Sequence, residues 1–248
     1  MNIKLLIKKV LKHFGIVAFK RSSNVYVPED ESYLIVSRLV GRVDPVVIDG
    51  GAHLGDMVDK FGALLPKAVF HCFEPDPVLS EALLTKFLGN TKVNLVQSAL
   101  GNAIGKAKFN INTSRPCNSL LPAAEDALQA ELKPLFQLVQ QVEVDVTTID
   151  QYCHENSIAR VDVIKLDLQG YDFLALRGAI STLKRARVVI TEVWFQEVYK
   201  GTHCFPEILN LMLAQGFSLH TLCGIHYGEQ DELIWADAIF VKQSHANT

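Results

Sequence analysis

The sequence contains no run of about 18 consecutive apolar residues, which a membrane-spanning helix requires. It also lacks the N-terminal apolar segment and small-residue cleavage site of a signal peptide, so we expect a cytoplasmic protein. Its five cysteines are odd in number and include no C-x-x-C pair, which favours reduced thiols over a disulfide framework. With 49% hydrophobic residues and no internal repeat, the 248 residues have an ordinary globular composition.

Basic side chains are scarce in most of the chain. Residues 1–21 hold six lysines and arginines and no acidic residue, whereas the rest holds 18 basic and 27 acidic residues, a net charge of −9. Nucleic-acid binding requires a clustered basic face, because the partner is a dense row of phosphates. The acidic body therefore argues against nucleic acid as the main partner.

The basic N-terminal segment also has a helical hydrophobic pattern. Between residues 2 and 14, apolar side chains recur on one helix face and lysines lie on another. We favour a helix that packs on the protein body with its lysines in water, and peripheral contact with a membrane surface is the alternative. We expect residues 1–40 to form this helical extension and residues 41–248 to form the main domain.

From residue 46 onward, β-branched runs alternate with helical segments of 10 to 15 residues. Five core strands are predicted at "VVIDGG", "AVFHCFEP", "VNLVQSAL", "VDVIKLDLQG" and "RVVITEVWF". This alternation predicts an α/β fold with a doubly wound, mostly parallel sheet, whose ligands bind at the carboxyl ends of the strands. Residues 217–223 and 234–242 are predicted to pair antiparallel, 105–112 to form an edge strand, and 123–138 and 171–183 to form helices.

The stretch "VIDGGAHLGD" places a glycine-rich turn at the end of the first predicted strand, which Asp49 closes. Gly50, Gly51 and Gly55 supply the backbone freedom that lets a ligand approach the start of the next helix. Such a turn is typical of nucleotide binding. It also matches a loose G-x-A-x-x-G pattern, so a dinucleotide site is one interpretation.

Two details argue against a dinucleotide. Ala52 occupies the position that must approach a pyrophosphate, and Asp49 would face the phosphates at short range. A cationic ligand without phosphate, such as S-adenosylmethionine (SAM), would instead accept Asp49. Glu74, 25 residues later at the end of the second predicted strand, is suited to bind both ribose hydroxyls. The alternative is a surface glutamate ahead of a turn at Pro75.

Seven stretches in chain order together resemble the FkbM-type methyltransferases: "VIDGGAHLGD", "FEPDP", "SALG", "NSLL", "VTTIDQY", "VIKLDLQGYDFLALRGA" and "ITEVWF". The likeness covers about residues 40 to 242. It implies the class I methyltransferase fold, with a seven-stranded sheet whose last strand is antiparallel, and SAM as the cofactor. His53 stands where the family usually has Asn, and Asp172 stands where Glu is usual.

The resemblance also assigns cofactor positions. They are Asp49, Gly51, Gly55 and Glu74, with Ser98 and Ala99 beside the adenine. We also predict cofactor contacts for neighbouring residues of the turn and of the strand ends: Gly50, Ala52, His53, Pro75 and Asp167.

Methyl transfer to oxygen needs a group that takes the hydroxyl proton. Asp167 closes the fourth core strand and Glu192 lies late in the fifth, so either carboxylate is a candidate base. The two could instead hold a divalent cation, which we favour less. His226, in a predicted late loop, is a further catalytic candidate. Lys165 lies inside the buried fourth strand and needs a carboxylate partner, for which Asp49 and Glu192 are the candidates.

These expectations combine into a SAM-dependent O-methyltransferase acting on a hydroxyl of a small molecule, a sugar, a glycolipid or another secondary metabolite. Two alternatives remain. An NAD-dependent oxidoreductase or epimerase would need a Tyr/Lys pair, and Tyr199-Lys200 lacks the usual spacing. A non-catalytic nucleotide-binding module would be favoured by a degenerate cofactor turn, and this turn is largely intact.

Deleting residues 1–20 should leave the affinity for SAM nearly unchanged, because the glycine turn begins well after them. Titration calorimetry on the truncated and full-length proteins measures this, with circular dichroism as the control for folding. A truncated protein that cannot fold would show instead that the segment belongs to the core.

Overall fold

The computed structural model describes residues 29–124, 126 and 132–243. The amphipathic helix predicted for residues 2–14 lies outside this range, as does the central part of the helix predicted for 123–138. Within the described ranges, no helix is long and apolar enough to cross a membrane.

The described residues form ten strands and seven α-helices. The strands are β1 (Val46–Gly50), β2 (Val69–Phe73), β3 (Val93–Val96), β4 (Ala99–Leu100), β5 (Gly105–Asn112), β6 (Leu138–Thr147), β7 (Val163–Leu166), β8 (Val188–Trp194), β9 (Phe217–Tyr227) and β10 (Leu233–Lys242). The helices are α1 (Glu29–Val40), α2 (Asp56–Leu64), α3 (Pro77–Lys86), α4 (Ile149–Glu155), α5 (Asp172–Arg177), α6 (Ile180–Leu183) and α7 (Phe205–Ala214).

Seven strands form the main sheet in the order β3-β2-β1-β7-β8-β10-β9. The first five strands of this order run parallel, and β10 pairs antiparallel with both β8 and β9. The predicted doubly wound sheet with a final antiparallel strand is therefore confirmed. The strand order reverses between β1 and β7, and a sheet of this type opens its ligand crevice at that point.

Helices cover the main sheet on both faces. One buried cluster joins it to α4, α5, α6 and α7, and a second joins it to α1, α2 and α3. From α1, Val36 and Val40 are fully buried, and the helix lies against α2, β8, β9 and β10. Residues 29–40, which the sequence assigned to an extension, thus form part of the core.

A second, three-stranded sheet has the order β4-β6-β5 and was not predicted. The strand predicted at "VNLVQSAL" ends at Val96, and Ala99 and Leu100 pair in parallel with β6 instead. The predicted edge strand at 105–112 is present, but its partner strand is β6 of the small sheet, with an isolated bridge from Asn110 to Ser119. An alternating pattern predicts a half-buried strand without naming its partner, so the sequence could not separate the two sheets.

Two predicted helices differ in the structure. Residues 133–136 form a 3₁₀ turn, with Pro134 in its first turn, and β6 follows from Leu138, so the predicted helix does not extend to 138. The helix predicted over 171–183 is interrupted at Gly178, where α5 ends. A Cβ built on Gly178 would lie 2.0 Å from the carbonyl oxygen of Gly101, so backbone packing against the small sheet's connection sets this break.

Gly178→Ala should lower the free energy of unfolding by roughly 1–3 kcal/mol, because the added methyl overlaps backbone that cannot rotate away. Urea denaturation of the variant and the wild type measures the change. Gly105→Ala is the matched control, since a Cβ there meets no atom within 4 Å. Equal stabilities for both variants would contradict the close packing at Gly178.

Candidate active site

A cavity opens at the carboxyl ends of β1, β2 and β7, below the small sheet. It encloses about 1010 Å³ when its open mouth is included. Eight of the predicted site residues line it: Gly51, Ala52, His53, Glu74, Pro75, Ser98, Ala99 and Asp167. Asp49, Gly50 and Gly55 support the glycine turn from outside the wall, and Glu192 and His226 are also outside it.

The glycine turn after β1 is fixed by its packing. Gly51 has φ +71°, and a Cβ there would lie 2.0 Å from the carbonyl oxygen of Asp167, so only glycine fits. His53 has φ +49°, a left-handed conformation in which Asn and His are both enriched. The substitution of His for the family's usual Asn therefore keeps the shape of the turn.

Glu74 lies on the cavity wall with both carboxylate oxygens held by backbone. Oε2 accepts the N–H of His53 at 2.8 Å, and Oε1 accepts the N–H of Asp76 at 2.9 Å. Burial raises the pKa of Glu74 to about 7, although these two hydrogen bonds favour the ionised form. Each oxygen keeps a second lone pair for a ligand hydroxyl. The geometry suits the predicted bidentate contact with a ribose.

Asp49 does not contact the cavity. It is fully buried, with Oδ1 3.4 Å from Nζ of Lys165, and the expectation that it faces a cationic ligand is replaced by this ion pair. Lys165 also donates to the carbonyl oxygen of Gly51 at 3.1 Å, and it does reach the wall. Burial lowers the pKa of Lys165, but the carboxylates of Asp49 and Asp167 outweigh this and raise it. The predicted carboxylate partner of Lys165 is present, and of the two candidates it is Asp49.

Asp167 and Glu192 have different environments. The Asp167 side chain is 42% exposed and lines the cavity, whereas Glu192 is 8% exposed and lies behind it. Burial, followed by the negative charges of Asp167 and Asp172, raises the pKa of Glu192 well above its ordinary value. Of the two predicted base candidates, only Asp167 is placed to meet a ligand.

His226 lies in strand β9, so the predicted loop position is wrong. Its ring stacks on Trp235 with 3.7 Å between centroids, away from the cavity wall. The β9–β10 hairpin is longer than predicted, since β9 extends to Tyr227, which pairs with Leu233 across several shifts in register. A role for His226 in catalysis finds no support in this arrangement.

Several residues on the wall were not predicted. Tyr33 reaches the cavity from α1, and Gln169 and Tyr171 reach it from the turn after β7. Arg115, from the connection between β5 and β6, forms an ion pair with buried Asp76. The Arg115–Asp76 pair spans 39 residues of sequence, and Tyr33, Arg115 and Gln169 come from distant parts of the chain, so no local pattern could have brought them together. Within the described ranges, no three His, Cys, Asp or Glu side chains converge to hold a metal ion.

The family model of the FkbM methyltransferase domain matches residues 49–219, which include the glycine turn, Glu74 and Asp167. The chain belongs to the FkbM methyltransferase family. This FkbM protein is 28% identical over 183 residues to the 2-O-methyltransferase NoeI of Sinorhizobium fredii, covering 70% of this chain and 73% of NoeI. It is 23% identical over 198 residues to the methyltransferase sdnD of Sordaria araneosa, covering 71% and 74%.

The fold of this FkbM protein is shared with solved methyltransferase structures. One of these structures is a protein from Streptococcus mutans in complex with S-adenosylhomocysteine (SAH). It superposes with a TM-score of 0.51 at 12% identity, covering 91% of this chain and all of that one. At that identity the likeness shows the common fold. Family and fold together establish this protein as a class I methyltransferase.

Glu74→Gln should weaken SAM binding by roughly 1–3 kcal/mol. The glutamine side chain has one acceptor oxygen fewer, and its NH₂ group would face one of the two backbone N–H donors that the carboxylate now accepts.

In the wild type, the affinity for SAM should also fall as the pH drops through about 7, because the Glu74 carboxyl, whose pKa is raised, gains its proton there and loses acceptor capacity. Titration calorimetry from pH 6 to pH 8.5 measures both. Glu81→Gln, on the exposed face of α3, is the control. A pH dependence that persists in Glu74→Gln would assign it to another group.

Proposed function

We propose that the protein is a SAM-dependent O-methyltransferase that acts on a hydroxyl of a small molecule, with a sugar, a glycolipid or another secondary metabolite as the acceptor class. One observation carries the proposal: a single cavity joins the Glu74 carboxylate at the end of β2 to the half-exposed Asp167 carboxylate at the end of β7. The name of NoeI, a 2-O-methyltransferase, supports oxygen as the acceptor atom.

The cavity residues match the chemistry of SAM. Glu74 would accept the ribose hydroxyls, and Leu79, Leu100 and Phe109 form an apolar wall beside Ser98 that suits adenine. The ammonium of Lys165, on the wall below the glycine turn, suits the amino-acid carboxylate. The donor and acceptor set therefore fits this cofactor without a metal ligand being needed.

A dinucleotide fits less well. The backbone N–H groups of Gly51 and Ala52 both donate to the carbonyl oxygen of Phe73 at 3.0 Å. A pyrophosphate depends on such N–H groups at the start of the helix, and here they are already engaged. This contact argues against the oxidoreductase alternative. A non-catalytic module would have no use for a half-exposed carboxylate at the open end of the cavity.

Asp167 is the candidate general base. When bound, SAM would supply its methyl group to the acceptor oxygen, with the thioether sulfur as the leaving group. The hydroxyl proton passes to Asp167, and because this side chain is 42% exposed, it can release the proton to water. Gln169 and Tyr171 lie on the same side of the cavity and bound the space in which the acceptor would lie.

The proposed function is tested first by binding. Titration calorimetry should show SAM and S-adenosylhomocysteine (SAH) binding in the micromolar range and NAD giving no heat. Methyl transfer is then assayed with labelled SAM against a panel of methyl glycosides and phenols. Absence of SAM binding at millimolar ligand would overturn the cofactor assignment, and label transferred to amines alone would overturn the O-methyl assignment.

Asp167→Asn should lower turnover by roughly 10²–10⁴-fold while leaving the affinity for SAH within about threefold, because it removes the proton acceptor and keeps the side-chain shape. Turnover at saturating SAM measures the first effect, titration calorimetry with SAH measures the second, and the melting temperature reports stability. Asp145→Asn, on the exposed face of β6, is the control. A variant with wild-type turnover and a lowered melting temperature would make Asp167 structural.

A further inference from the structure

Gln169 has an unusual backbone for its position on the cavity wall. Its φ is +52°, in the left-handed region, and Gly170 follows at +89°. A non-glycine residue keeps this conformation only where its surroundings hold it. Here the hydroxyl of the buried Ser119 donates to the carbonyl oxygen of Gln169 at 2.7 Å and ties the turn to the connection that follows β5.

All three polar positions of the Gln169 side chain are engaged. Nε2 donates to Oδ1 of Asp167 at 2.8 Å and to Oε2 of Glu192 at 3.0 Å, and Oε1 accepts the hydroxyl of Tyr199 at 2.6 Å. The amide cannot be reversed, because its carbonyl oxygen would then face two carboxyl groups. The network therefore fixes which atom of Gln169 meets which partner.

The partners behind Gln169 are rigid. Tyr199 is fully buried, with its ring against Phe136 and Trp194 at centroid distances of 5.4 Å, and its hydroxyl also lies 3.1 Å from the carbonyl oxygen of Cys117. Glu192 is held within β8. A side chain supported on two sides in this way can orient a third group, and the third group is the half-exposed Asp167.

We propose that Gln169 is a positioning residue that aims the Asp167 carboxylate at the acceptor hydroxyl beside the reacting methyl group, with Glu192 and Tyr199 anchoring the amide instead of reacting. The inference rests on the proposed function, in which Asp167 takes the acceptor proton. It assigns Glu192, a base candidate from the sequence, to the support of Gln169.

The orientation of the Asp167 carboxylate affects SAM binding even when no acceptor substrate is present. In the reacting complex, the acceptor hydroxyl lies about 3 Å from the methyl carbon of SAM, and the base lies within hydrogen-bond reach of that hydroxyl. The negative charge of the base is then close enough to attract the positive sulfur of SAM. SAH differs from SAM by that methyl group and that charge. The ratio of the two affinities therefore reports where the Asp167 carboxylate points, whereas a residue that merely stabilises the turn would change both affinities together.

Gln169→Leu and Tyr199→Phe are the test variants. The first removes both N–H donors at similar volume, and the second removes the hydroxyl that orients the amide while keeping the ring in its packing. Each should lower the preference for SAM over SAH by about 3- to 10-fold, with the affinity for SAH nearly unchanged. Titration calorimetry with SAM and SAH on the full-length proteins measures the ratio.

Two controls separate orientation from stability. Tyr152→Phe is the control for Tyr199→Phe: it also removes one tyrosine hydroxyl, which contacts His71 at 2.9 Å and lies away from the cavity wall. Gln140→Leu is the control for Gln169→Leu and changes an exposed glutamine on β6. Both should keep the wild-type ratio. A wild-type ratio in Tyr199→Phe would overturn the inference and leave SAM binding intact, whereas a wild type that binds neither ligand would overturn the proposed function itself. If Gln169→Leu fails to fold, Tyr199→Phe decides.

Discussion

The buried ion pair between Asp49 and Lys165 is the contact on which the site depends. The two residues are direct neighbours in the register of β1 and β7, the strands at which the sheet order reverses. Lys165 joins the pair to the carbonyl oxygen of Gly51 and lies 3.8 Å from Oδ2 of Asp167. Removing one partner would leave an uncompensated buried charge, at a cost of roughly 3–5 kcal/mol. The same pair thus fixes the glycine turn and the position of the candidate base.

The two turns that face each other across this pair both use left-handed backbone. His53 and Gln169 are non-glycine residues with positive φ, a conformation that costs on the order of 1–3 kcal/mol when the surroundings do not support it. Each is tied by a hydrogen bond, His53 to Glu74 on the cavity wall and Gln169 to the buried Ser119. Backbone shape and the placement of polar side chains are therefore coupled, which favours a preorganised site.

The small sheet and the connection that follows β5 form one wall of the cavity. Phe109 and Leu120 line the cavity from this region, and Arg115 and Asn118 both bind the buried carboxylate of Asp76. Asp76 also begins α3, with its side chain accepting the N–H of Val78. The outer wall is thereby attached to the same β2–α3 turn that carries Glu74, so the ribose end and the wall above it form one unit.

The sequence by itself determined the order of the core strands of the main sheet, the glycine turn and the placement of Glu74 and Asp167 at strand ends, because hydrophobic periodicity, glycine and strand-end carboxylates are local signals. It also required a carboxylate partner for Lys165, since a buried ammonium demands one. Only the tertiary structure showed that Asp49 is that partner, that residues 99–112 belong to a second sheet, and that Glu192 and His226 lie off the cavity wall. It also brought Tyr33, Arg115 and Gln169 to the site. Contacts of this kind join residues far apart in the chain, and their partners are set by packing, which no local pattern encodes.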